Sequence, residues 1–402
     1  MTAITLSARL RRIKPSPSTS AADRAQALQR SGRSIVNLAV GEPDFDTPAH
    51  IRAAALQAMD AGATRYTPIA GSAALRQAIA QKLLRENALS YDACETLVTN
   101  GAKSAIYCAF AATLDPGDEV LIPAPYWVSY PDMVLACDAQ PVILPCPEDQ
   151  GFRLTAAQLE AAITPRTRWL LLNSPSNPTG ACYTAGEYRA LAEVLQRHPQ
   201  VMVMTDDIYE HIVFTAAPCV HLLAAAPQLR ARTLVINGVS KSYAMTGWRI
   251  GYAAGPRELM QAMETLQSQT SGNACSVSQA AAVAALCGDQ TFVRESAAVY
   301  RQRRDLMLAG LRQIPGLRCR APDGAFYLFV NCAGLIGKRT PQGKVLADDT
   351  DLVLYLLDSE GVAVVAGSAY GLSPYFRLSI ATSPEVLQDA LARLARAVLA
   401  LR

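Results

Sequence analysis

Between residues 96 and 254 short β-prone runs alternate with longer helical stretches, and this rhythm constrains the fold more than any other feature of the chain. Strands are predicted over residues 96–99, 119–122, 141–144, 168–172, 201–205 and 233–237, with a further one over 249–254. Helices are predicted ahead of them over 49–61 and 72–87, and between them over 102–114, 156–163 and 185–198. The strand runs are short, apolar and β-branched, which is how strands buried on both faces read. Helices interposed between strands carry the chain back across the sheet, so the strands pair in parallel. The expectation is an α/β fold with a mostly parallel sheet.

The flanks read differently. At 402 residues the chain exceeds what one core usually serves and suggests about two units. Helical patterns over 278–287 and 292–312 lead away from the alternating region; Arg301, Arg303 and Arg304 are read as a solvated basic face of the second. Beyond Pro315-Gly316 come a strand (325–331), a loop (335–349), a helix (351–360), strands over 362–365 and 375–380, and a final helix (384–401). That is a smaller α+β unit. The N-terminal residues 1–12 read as an arm, 21–30 as helical and 34–40 as strand-like. The turn-rich Gly41-Glu42-Pro43-Asp44-Phe45-Asp46 then suits a crossing between units. The expected division is an arm over 1–12, a small unit from 13–46 and 297–402, and a large unit over 47–296.

Charge and cysteine usage exclude several classes. Lys and Arg number 37 against 34 Asp and Glu, and the resulting +3 gives no basis for nucleic acid or an anionic membrane as partner. No run reaches the roughly 18 apolar residues of a membrane span, and the first residues lack a signal-peptide core. Ten cysteines are scattered without a CxxC pair and only four histidines occur, so no metal site is expected. The composition suggests a cytoplasmic enzyme. Lysines are few: Lys14, Lys82, Lys103, Lys241, Lys338 and Lys344.

Three predicted strands run into polar residues: one into Asn173 to Gly180, one into Asp206-Asp207-Ile208-Tyr209, one into Asn237 to Ser242. Ligands of open α/β sheets bind beyond the carboxyl ends of the strands. An amide, a carboxylate, a phenol and an amine placed there suit pyridoxal phosphate, which needs a lysine for its aldehyde and an acid for its ring nitrogen. The spacing alone leaves open that they are ordinary loop residues.

The motifs themselves are more specific. Ser240-Lys241-Ser242-Tyr243-Ala244-Met245-Thr246-Gly247-Trp248-Arg249 resembles the lysine signature of the fold-type I, class I aminotransferases. Asn173-Ser174-Pro175-Ser176-Asn177-Pro178-Thr179-Gly180 resembles their NxPxNPTG turn, and Asp206 with Tyr209 their D-x-x-Y segment. Gly41 to Phe45 and Tyr375 to Ser379 match the two ends of the same pattern. The branch most resembled is that of bacterial aspartate aminotransferases, which includes dual aspartate/prephenate enzymes.

The resemblance implies a pyridoxal 5′-phosphate-dependent fold with a mostly parallel seven-stranded sheet and a smaller α+β unit. It implies that Lys241 binds the cofactor aldehyde and shuttles the substrate Cα proton, and that Asp206 pairs with the ring nitrogen while Asp207 supports it. Tyr209 and Asn177 meet the ring oxygen, in a turn whose Pro175 and Pro178 bonds are expected to be cis. Arg249, Ser240 and the backbone of Gly101, Ala102 and Lys103 hold the phosphate, and Trp127 stacks on the ring. Tyr66 reaches the neighbouring site of a homodimer. Arg377, Gly41 and Asn177 take the α-carboxylate, and Lys14 or Lys103 a distal one. The Pro17-Ser18 pair departs from the usual Ala-Thr of the family, which bears on prephenate use. The implied reaction is aspartate plus 2-oxoglutarate to oxaloacetate plus glutamate, with prephenate to arogenate a second activity. Alternatives on the same fold are an aromatic or alanine-type aminotransferase, or a β-lyase.

Overall fold

In the computed structural model, which describes residues 4–217 and 219–402, the alternating region forms one seven-stranded sheet. Its strands are β1 (Thr96–Thr99), β2 (Glu119–Ala124), β3 (Gln140–Pro145), β4 (Thr167–Asn173), β5 (Met202–Asp206), β6 (Thr233–Gly238) and β7 (Gly251–Ala254). The spatial order is β1-β7-β6-β5-β4-β2-β3. Six strands share one direction and β7 runs against both its neighbours. Successive side chains point to opposite faces, so adjacent residues enter different cores. Leu170 and Leu172 of β4 join one apolar cluster while Trp169 and Leu171 join the other. Both faces are therefore covered, as apolar strands of this kind require.

The reversed strand positions the site. Gly251, at the start of β7, stands opposite Thr99 at the end of β1 and Gly238 at the end of β6. The residues just before β7 thus meet the residues just after β1 and β6.

The smaller unit is an antiparallel sheet of β8 (Arg318–Cys319), β9 (Tyr327–Asn331), β10 (Val365–Ala366) and β11 (Tyr375–Ser379), in the order β10-β11-β9-β8. Helices Thr291–Leu311, Asp349–Glu360 and Pro384–Leu399 accompany it. The strand predicted over 362–365 is two short ones: Val362–Ala363 pairs in parallel with Val36–Asn37, and only Val365–Ala366 joins the sheet. Leu38 donates its N–H to Ala363 and accepts from Ser379, at 2.9 and 2.8 Å, which stitches the N-terminal run to these C-terminal strands.

Other expectations are corrected. The helix expected over 21–30 begins at Pro17, a favourable first-turn position for proline. Helices Tyr130–Ala136 and Arg257–Thr270 have no counterpart in the sequence reading. The basic face of the long helix is not all solvated. Arg303 is only 6% exposed and forks onto Asp44 with N–O distances of 2.7 and 2.8 Å, so the helix is tied to the turn-rich crossing segment. Arg304 lies over the Phe214 ring, and Arg301 alone is exposed. Residues 1–3 of the expected arm lie outside the described residues.

Candidate active site

Beyond the carboxyl ends of β4, β5 and β6 lies a cavity of about 270 Å³. Lys241, Asp206, Tyr209, Asn177, Ser240, Arg249 and Arg377 all line it, although they span 200 residues of chain. Lys241 follows β6 and donates from Nζ to the Gly41 carbonyl at 2.7 Å. Burial lowers its pKa to about 8, because a desolvated ammonium is disfavoured. Asp206 ends β5, is 4% exposed, and accepts from the Tyr130 hydroxyl at 2.6 Å and from the Ile208 N–H at 3.3 Å. Burial raises its pKa to about 6. Asp207 turns away: it accepts from the Thr205 hydroxyl at 2.9 Å and stands 3.0 Å from His221 Nε2. The Tyr209 hydroxyl sits 2.9 Å from that of Tyr327, and burial holds its proton well above the ordinary phenol range.

The sheet reversal builds an anion cup at one end of this cavity. Helix Ala102–Thr113 starts here after Gly101, which adopts φ +87°, and its first N–H groups are free for an anion. Arg249, itself at φ +56°, places its guanidinium so close to Gly101 that a Cβ there would collide with it. A Cβ on Gly251 would likewise strike the backbone of Ala102. Lys103 extends over the Trp127 ring with Nζ 4.8 Å from its centre.

At the other end Arg377 of β11 enters from the smaller unit, 2% exposed. It donates to Asn177 Oδ1 at 3.1 Å and to the Ala39 carbonyl at 2.6 Å, while its Nε has no partner. Asn177 is held in turn by its N–H on Asn173 Oδ1 at 2.8 Å, within a turn whose Pro175 and Pro178 bonds are both cis.

The chain matches the family described as aminotransferase class I and II over residues 33–394. It is 55% identical to an aspartate aminotransferase of Rhizobium meliloti, over 93% of this chain and 91% of that protein. It is 51% identical to an aspartate/prephenate aminotransferase of Cereibacter sphaeroides, over 97% of each. The crystal structure of a Rhizobium meliloti aspartate aminotransferase superposes with a TM-score of 0.97 at 52% identity, covering 100% of both chains. That of a Thermus thermophilus aspartate aminotransferase with maleate gives 0.91 at 40% identity, over 98% of this chain and 100% of that one.

The chain belongs to the class I and II aminotransferases. The cofactor of this aminotransferase is pyridoxal 5′-phosphate, and the residues present fit it. Asp206 is a buried acid with no Lys, Arg or His within 4.0 Å among the described residues, ready for a cationic ring nitrogen. Arg249 and the helix start form a cup for a phosphate, and the glycines at 101 and 251 keep it open.

Three expected residues of the aminotransferase lie off the cavity wall. Gly101 sits behind it, under Arg249. Lys14 is exposed and donates its backbone N–H to Asp132 at 3.0 Å. Tyr66 is 97% exposed. Others line the cavity unforeseen: Ser16, Ser18 and Thr19 at the start of helix Pro17–Arg30, Tyr130 and Tyr327. Tyr327 falls inside a predicted strand, but an aromatic in an apolar run looks the same whether it packs a core or faces a ligand. Glu86, Glu210 and His211 come within 4.8 Å of one another, a grouping that spacing does not show; Lys82 already pairs with Glu210 and supplies the countercharge.

Proposed function

We propose that this aminotransferase moves the amino group of aspartate to 2-oxoglutarate, yielding oxaloacetate and glutamate, and that prephenate, converted to arogenate, is a second acceptor. One observation carries the reading: Lys241, Asp206 and Arg377 open onto one cavity, the acid lacking a cation and the guanidinium retaining an unused N–H. The relatives named for aspartate and for aspartate and prephenate support the substrates, as does a Thermus thermophilus neighbour described with maleate, a dicarboxylate.

Pyridoxal phosphate, when bound, supplies an aldehyde that takes up the amino group and a ring that accepts electron density. Asp206 holds a proton on the ring nitrogen, since a buried carboxylate favours an adjacent cation. Tyr209 and Asn177 meet the ring oxygen, and Trp127 lies against the ring. Arg249, Ser240 and the N–H groups of Ala102 and Lys103 hold the phosphate, with Gly101 leaving room for Arg249 and Tyr66 of a second subunit in a homodimer joining them. Arg377 grips the α-carboxylate as a planar fork, helped by Asn177 and the Gly41 backbone. Lys241 Nζ takes the proton from the amino acid Cα, and its depressed pKa of about 8 leaves a usable share of free base near neutrality. Lys103 or Lys14 meets the distal carboxylate.

We read residues 47–296 as the large cofactor-binding unit, 13–46 and 297–402 as the small one, and 1–12 as the arm. The stitching of Leu38 between Ala363 and Ser379 supports this division. The location is the cytoplasm, in amino acid biosynthesis; ten free thiols suit a reducing compartment, and among the described residues no helix is long and apolar enough to cross a membrane.

Steady-state rates with aspartate, glutamate, prephenate, phenylpyruvate and pyruvate test the proposal. Aspartate turnover with 2-oxoglutarate is expected. Its absence overturns the substrate assignment, and pyruvate with ammonia released without an oxo acid indicates a β-lyase instead.

A further inference from the structure

Tyr327, on β9, touches three parts of the site. Its hydroxyl is 2.9 Å from the Tyr209 hydroxyl. Its ring lies under the Arg377 guanidinium, 4.3 Å from centre to Cζ. A Cβ added to Gly41 would collide with its hydroxyl. It is 1% exposed, and its hydroxyl and that of Tyr209 are hydrogen-bonded to each other on the cavity wall.

We infer that Tyr327 is a positioning residue with two separable roles: its hydroxyl donates to Tyr209, and its ring sets the plane of Arg377. This rests on the reading of the cavity as a pyridoxal phosphate site.

The first role follows from counting protons. A tyrosine hydroxyl has one proton to give and two lone pairs with which to accept. In the role assigned above, Tyr209 gives its proton to the cofactor's ring oxygen. Toward Tyr327 it can then only accept, so the order of the pair is fixed with Tyr327 as donor. A hydroxyl that accepts a hydrogen bond becomes a better donor through polarisation. Tyr327 therefore strengthens the hold of Tyr209 on a negatively charged ring oxygen. The charged and titratable groups facing the pair are Arg377 from β11, Asp206 from the end of β5, Lys241 in the shared cavity, Tyr130, Tyr300 and Tyr370. None of them is altered by removing one oxygen from Tyr327.

The second role follows from the ring. Arg377 has an unpartnered Nε and is fixed at two of its nitrogens only, on Asn177 and Ala39. A guanidinium stacked on an aromatic face keeps its plane, which a two-pronged grip on a carboxylate needs.

Tyr327→Phe removes the hydroxyl and keeps the ring; Tyr327→Leu removes both. The test uses the holoenzyme of each variant, of wild type and of Tyr209→Phe. The readouts are the pH titration of the cofactor's visible absorption and the binding of maleate, an unreactive dicarboxylate. Tyr327→Phe should move the absorption midpoint upward by roughly half a unit, in the direction of Tyr209→Phe but less far, with maleate affinity changed less than about threefold. Tyr327→Leu should add a loss of maleate affinity of about tenfold or more. In the double variant Tyr209→Phe/Tyr327→Phe the midpoint should match Tyr209→Phe alone. A Tyr327→Phe midpoint equal to wild type, or a further shift in the double variant, overturns the hydroxyl role; unchanged maleate binding in Tyr327→Leu overturns the ring role. Wild-type protein that shows no titrating visible band overturns the site reading itself, before Tyr327 comes into question.

Discussion

Asp206 and Arg377 sit in surroundings of low dielectric with bonding capacity unused, and the consequences are measurable one residue at a time. Burial lifts the Asp206 pKa from 3.8 to about 6, so the folded ligand-free protein binds more protons than the unfolded chain between those values. The contribution of Asp206 to stability is therefore fully present below pH 3.8 and is lost as pH rises through 6. Asp206→Asn should stabilise the ligand-free protein above pH 6 by on the order of 2 kcal/mol, and bring no gain near pH 4, in thermal melts across that range. The same variant should lose at least roughly 10²-fold in transamination, since it removes the acid proposed to keep the ring nitrogen charged. Lys241 behaves with the opposite sign, its pKa falling from 10.5 to about 8. Its contribution is present above pH 10.5 and lost as pH falls through 8, and Lys241→Met should flatten that rise in ligand-free melts. Arg377→Lys keeps the charge but not the fork. It should lower kcat/KM for aspartate by about 10²-fold, chiefly through KM, while cofactor binding holds.

At the scale of elements, the antiparallel β7 does what no residue does alone. Running against its neighbours, it starts at the carboxyl end of the sheet where β6 has just ended, so Arg249, eight positions after Lys241, stands over the start of helix Ala102–Thr113. Gly251 is the contact that makes the approach possible, since any side chain there meets the Ala102 backbone. Gly251→Ala should weaken pyridoxal phosphate binding by roughly tenfold or more, while pyridoxal without its phosphate binds about as before. Equal losses for both compounds in fluorescence titrations would mean that the cup is not where the phosphate is held.

At the scale of the molecule, the smaller unit reaches the site by Arg377, by Tyr327, and by the crossing segment with Gly41 and Asp44. The Arg303–Asp44 pair holds that segment to the long helix Thr291–Leu311, with the guanidinium also 5.3 Å from the Phe45 ring centre. Removing Asp44 strands the buried charge of Arg303, whereas removing Arg303 leaves an exposed carboxylate in water. Asp44→Asn should destabilise by about 2–4 kcal/mol in urea unfolding, Arg303→Met by less, and the double variant by less than the sum. Since Gly41 accepts from Lys241, Asp44→Asn should also lower turnover with the cofactor still bound.

The large sheet was legible because short apolar strands with helices between them have one common solution, and each predicted run from 96–99 to 233–237 is found within about two residues. That Lys241, Asp206 and Arg377 share one cavity was legible because rare residue types in tight motifs carry them. Tyr327, Tyr130 and the Arg303–Asp44 fork were not. Their residue types are ordinary at their positions, and what makes them part of the site is which distant segment they face. Local pattern determines strand, helix and turn, since those depend on near neighbours in the chain. Partnership across the two sheets depends on how they are brought together, and only packing of the finished molecule decides it.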